Sequence, residues 1–131
     1  MLFATVAAPG ASQEDSSIAV YSDICYHSES GDVLGNRVVV MRFKEADYVL
    51  FQMAGGEVGD PQFGKATIDP KSNEIIFNIP ISEKATATFK GRMNGQFLTG
   101  TFDNGWQNRS GEKAFRLPRI VGRQRSFPEC K

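Results

Sequence analysis

The chain has 131 residues, 40% of them apolar, and its 15 Lys/Arg balance 15 Asp/Glu to a formal net charge of zero. That is enough apolar material for one core and argues against two domains. Overall neutrality lacks the electrostatic footprint of a nucleic-acid binder, and no apolar run approaches the ~20 residues of a membrane-spanning helix, so a soluble protein is expected.

In chain order, Met1 to Ser12 is small and apolar, like the end of a signal peptide without its charged front, and Gln13 to Ser17 is polar. Residues 1–17 are therefore read as a leader remnant and disordered N-terminus, followed by one exported domain, periplasmic or secreted, over 18–131. Eight β-branched and aromatic runs follow at the spacing of an all-β domain. They are Ile18–His27, Asn36–Phe43, Tyr48–Ala54, Gln62–Ile68, Glu74–Ile79, Ala85–Met93, Gln96–Asp103 and Lys113–Leu117. Gly, Pro, Asn and Asp dominate the segments between them. Short links between consecutive strands favour an antiparallel up-and-down eight-stranded barrel, with a two-sheet β-sandwich as the competing architecture. Val38 to Met41 and Ile75 to Phe77 are apolar on both faces, which suggests strands covered on both sides. A short C-terminal helix over Leu117–Gln124 is the one helical expectation, interrupted by Pro118 and Gly122.

Asn94-Gly95 is a strong two-residue turn signal, since both types accept the positive φ angles of a type I′ hairpin. On that register Met93 faces Gln96, Gly91 faces Leu98, Phe89 faces Gly100 and Ala87 faces Phe102 on the inner side. Arg92, Lys90 and Thr88 pair with Phe97, Thr99 and Thr101 on the outer side. Glycine opposite a large residue would suit a narrow, curved wall.

Cys25 in the first strand and Cys130, next to last, suggest a terminal disulfide of an oxidising compartment. Closing so long a loop would remove roughly 4–5 kcal/mol of unfolded-chain entropy. No Cys-x-x-Cys supports a metal ribbon or thioredoxin-type site.

Catalytic signatures are not found: there is no Gly-x-Ser-x-Gly, His-Glu-x-x-His or phosphate-binding glycine loop. The single histidine, His27, stands near Glu29 and Asp32 without an identifiable second catalytic partner. Glu57 and Asp60 lie in a glycine-rich loop that lacks the ordered acidic spacing of a calcium site, and Asn108-Arg109-Ser110 fits the glycosylation pattern. The expectation is a protein that is not an enzyme and uses no metal or cofactor.

Charge is lopsided: residues 1–89 hold six Lys/Arg against twelve Asp/Glu, and residues 90–131 hold nine against three. Lys90, Arg92, Arg109, Lys113 and Arg116 are candidates for a cationic face toward an anionic protein or envelope partner. The aromatics Phe51, Phe77, Phe89, Phe102 and Trp106 are candidates for the wall and mouth of an interior site for a small apolar or amphiphilic ligand. Ligand binding inside the barrel is the first functional reading and requires an open interior. A protein-interaction module or enzyme inhibitor, acting through loops and the cationic face, is the second and requires a filled one. Monomer and dimer both fit.

A short exported barrel stapled from its first strand to its C-terminus resembles, in architecture, the calycin-type ligand binders and the bacterial periplasmic lysozyme inhibitors. The resemblance implies a barrel that binds rather than catalyses. No inhibitor-type Ser-Gly loop followed by Tyr occurs, so no functional residue carries over.

Overall fold

β-Branched and aromatic runs bounded by turn residues produce nine strands in the computed structural model, which describes residues 17–122, 124 and 126–131. They are β1 (Ser17–Ser22), β2 (Cys25–Tyr26), β3 (Val33–Arg42), β4 (Asp47–Gly56), β5 (Gln62–Ile68), β6 (Glu74–Ser82), β7 (Ala85–Met93), β8 (Phe97–Phe102) and β9 (Phe115–Ile120). From β2 onward each strand pairs antiparallel with the next, and β1 pairs with both β3 and β9. The result is a closed eight-stranded up-and-down barrel, with β2 as an extra strand on β3. Closure decides against the sandwich and leaves no long edge open for pairing between copies. The leader-like stretch 1–16 lies outside the described residues, and Ser17 already stands in β1.

β1 and β2 together form the single first run expected from the sequence. Both keep one register on β3, from Ser17↔Arg42 to Tyr26↔Val33, interrupted only at Asp23 and Ile24. There the Asp23 amide donates to the Asn36 carbonyl (3.1 Å), while the Asp23 carboxylate accepts the Asn36 N–H (2.7 Å). A side chain replaces a carbonyl in the ladder, and the strand kinks. Gly35 makes room for this at φ 123°, where a Cβ would press on Asp23 Oδ1 at 2.7 Å and Ile24 Cα at 2.8 Å.

Two expectations are corrected. Leu117 to Ile120 belongs to β9, and no helix forms among the described residues. Pro118 ends no strand there because its ring stands on the side where β9 has little partner. Only Val20↔Ile120 and Tyr21↔Arg119 pair across the β1–β9 seam, and the next position would need the N–H that Pro118 lacks.

The β7–β8 hairpin is also two residues out of the expected register. Met93 faces Leu98, Gly91 faces Gly100 and Phe89 faces Phe102. Neither Asn94 nor Gly95 takes a positive φ. Instead Asn94 is the first residue of the turn, its Oδ1 accepting the Gln96 and Phe97 amides at 2.7 and 2.8 Å and its carbonyl accepting the Tyr21 hydroxyl at 2.8 Å. A shift of two preserves which side chains face inward, so the inner and outer sets stand. What changes is the packing: two glycines face each other, and the Phe89 ring lies against them.

Inward residues from all eight strands make one core, including Tyr21, Val38, Val40, Val49, Ile75, Phe77, Ile79, Phe89, Leu98 and Leu117. Each large apolar side chain so buried is worth about 1.5–3 kcal/mol. Cys25 and Cys130 form a disulfide with Cα atoms 4.9 Å apart. The C-terminal segment is tied beside it, where the Tyr26 amide donates to the Pro128 carbonyl and the Cys130 amide to the Tyr26 carbonyl.

Candidate binding surfaces

Alternation along β4, β6, β7 and β8 sends Phe51, Phe77, Phe89 and Phe102 into the barrel, where none is more than 5% exposed. Phe77 and Phe89 stack at 4.8 Å, and Phe102 meets Phe51, Phe89 and Phe115 edge-on at 5.3, 5.1 and 5.4 Å. Trp106, in the β8–β9 connection, lies nearly parallel to Phe51 at 5.9 Å and edge-on to Phe102 at 5.0 Å. All five aromatic candidates are thus brought together, and they occupy the interior themselves. Edge-to-face pairs of this kind add about 0.5–1.5 kcal/mol each beyond area burial. The half-buried Trp106 closes that end of the barrel.

Clefts open at both rims, as they do on the outer wall. A cleft of about 220 Å³ borders Trp106, Phe51, Met53 and Ile81, below the ~300–1,000 Å³ of ordinary small-molecule sites. The opposite rim has one of about 380 Å³ beside Tyr21, Met93, Asn94 and Arg119. Burial pushes the Tyr21 hydroxyl pKa up, and the Arg119 charge draws it part of the way back.

The five cationic candidates reach the surface in different states. Lys90 and Arg92 project from β7 and Arg116 from β9, while Arg109 and Lys113 stand in the β8–β9 connection. Arg92 pairs with Glu74 at 3.1 Å, both more than half exposed, a contact worth little in water. Arg116 lies 3.7 Å over the Phe97 ring, which fixes its position without cancelling its charge. Arg109 reaches back to Asp23 at 3.6 Å. Among the described residues, no acid comes within ion-pair distance of Lys90 or Lys113. Among the described residues the face therefore carries three cations without an acidic partner: Lys90, Lys113 and Arg116.

Asp23 and Asn36 were not anticipated from the sequence. Burial pushes the Asp23 carboxyl above its usual range, opposed by the Asn36 amide and the Arg109 guanidinium. Asn36 is 3% exposed and its Oδ1 has no hydrogen-bond partner. The sequence signal is slight: Gly35-Asn36 interrupts the apolar character of β3 after Val33-Leu34.

The minor candidates are not assembled into sites. His27 is exposed in a turn, its Nδ1 accepting the Glu29 amide at 3.3 Å. Glu57 and Asp60 are exposed, and no cluster of three or more His, Cys, Asp or Glu gathers among the described residues. Asn108 uses its side chain to hold its own loop, donating to the Ala114 carbonyl and accepting the Ser110 and Glu112 amides. Also among those residues, no helix is long and apolar enough to cross a membrane. No family matches the chain, and neither a curated protein nor a solved structure does.

Proposed function

We propose that this chain is an exported, non-catalytic binding module whose barrel is a rigid scaffold and whose partner, an acidic protein, is met by the outward cations of β7, β9 and the β8–β9 connection. The observation that carries this reading is the filled interior. Phe51, Phe77, Phe89 and Phe102 pack against one another where a ligand would sit, so recognition moves to the outside. Lys90, Lys113 and Arg116 supply long-range attraction there, and the disulfide fits the oxidising compartment of an exported protein. The amphiphilic-ligand reading is left with clefts outside the core, among them those at the two rims, beside Trp106 and beside Tyr21.

The test is affinity capture from the native host with wild type and a Lys90→Glu/Lys113→Glu variant, at low and high salt. An acidic protein retained by wild type at low salt, and lost in the variant and in salt, is expected. Equal capture by both would overturn the assignment to this face.

A further inference from the structure

The opposite wall of the barrel has a different chemistry. In ring order β3 and β4 stand across from β7 and β8. Outward residues of that wall align across strands: Ile120, Val20, Val39, Leu50 and Phe63 form one rung over five strands. Ile18, Met41, Tyr48 and Lys65 form the next, and Phe43 follows at the β3–β4 turn, its ring 6.1 Å from that of Tyr48. These residues need not be outside for the fold's sake, since the inward positions of the same strands already supply the core. Yet Ile18 is 64% and Phe63 61% exposed, with Phe43 and Tyr48 also open. At ~4.8 Å between neighbouring strands the apolar rung spans about 20 Å. Contiguous apolar surface of this extent marks an interaction site.

Charge selects the occupant. Arg37 borders the apolar rungs on one side, Lys65 lies within them and Lys44 stands at the turn. Among the described residues, Glu45 is the acid at that turn, and Asp47 is occupied by Arg42 at 3.5 Å. Two copies packed through this wall would bring like charges together with little acid to meet them. An apolar interior bounded by phosphates matches both features. From these observations we infer that the wall is a peripheral docking surface for an anionic lipid bilayer. Phe63, Ile18, Tyr48 and Phe43 enter the interface, where aromatic rings are favoured, and Lys44 and Lys65 meet headgroup phosphates. The barrel would then lie on its apolar side with the cationic face turned away. This inference does not rest on the protein-partner reading, with which it shares only β9.

The test is co-sedimentation of the full chain with vesicles of phosphatidylcholine alone or mixed with phosphatidylglycerol. Binding to the anionic vesicles, weakened by salt, is expected. Lys44→Glu/Lys65→Glu should lower the partition coefficient by more than about tenfold, and Ile18→Ser/Phe63→Ser should abolish sedimentation while far-UV circular dichroism stays that of wild type. Both serine positions are exposed, so the fold survives the change. Failure to sediment with anionic vesicles would overturn the inference. So would binding that Ile18→Ser/Phe63→Ser leaves intact but removal of residues 1–16 destroys, which would assign it to that segment. A dimer that Phe63→Ser dissolves, without vesicle binding, would assign the wall to a second copy.

Discussion

Removing the disulfide by Cys25→Ala/Cys130→Ala tests how the chain ends are held. The bond closes a loop of sequence separation 105, and the chain-entropy relation gives about 4.7 kcal/mol for that length. A small domain's net stability is only about 5–15 kcal/mol, so the loss is a large part of the whole. For a domain of this size it corresponds to a fall of roughly 15–20 °C in Tm. Packing adds little to the expected change, because alanine at these positions leaves the barrel core untouched: neither cysteine belongs to the aromatic cluster. The C-terminal segment should also loosen, since among the described residues the Pro128 and Cys130 backbone bonds to Tyr26 and the Arg37–Phe127 contact at 5.5 Å are the ties that would still hold it. The assay is urea and thermal unfolding followed by Trp106 fluorescence and circular dichroism. A loss below about 1 kcal/mol would refute the reasoning, because the unfolded chain would then not be gaining the freedom that the loop length implies.

Two further perturbations probe the barrel wall and the buried acid. Gly91→Ala would drive a methyl group into the Thr99 carbonyl and to 2.7 Å from the Phe89 ring; a destabilisation of at least about 1–3 kcal/mol by urea unfolding is expected, and wild-type stability would contradict the glycine-pair packing. For Asp23 the folded-state pKa is raised by burial, so the folded protein binds the extra proton and stability falls as pH rises from the ordinary Asp value through the raised one. Asp23→Asn should flatten that slope in unfolding curves measured across the acid range, and an unchanged slope would place the titration elsewhere.

Much of the barrel is legible because its signal is local. Gln62–Ile68 and Ala85–Met93 begin and end where turn residues say they should, and alternation alone turns Phe89 and Phe102 inward. The hairpin register was not legible from Asn94-Gly95. Asn94 begins the turn, and its carbonyl accepts the hydroxyl of Tyr21, 73 residues away, a contact that no local pattern displays. β9 ran past Pro118 for a related reason: proline is excluded only where a donor is needed, and the short β1–β9 seam asks for none there. The two-sided apolar character of Val38 to Met41 was visible, but it predicted a covering layer; the wall is open at Ile18, Phe43 and Phe63. The charged candidates could be named from the charge map, whereas their partners depend on tertiary pairing: Glu74 meets Arg92 across the β6–β7 ladder, and Asp23, between β1 and β2, meets Arg109 of the distant β8–β9 connection.

The central claim is that the barrel is filled by its own side chains and binds from outside. Native mass spectrometry of protein purified from its host, followed by denaturing extraction, tests it most directly. The account predicts a bare chain at the oxidised mass, with any protein partner dissociating in high salt. A stoichiometric lipid or other small molecule that stays bound in the Phe51→Ala variant's parent and is lost on that substitution would contradict it, and would make the aromatic cluster a binding site.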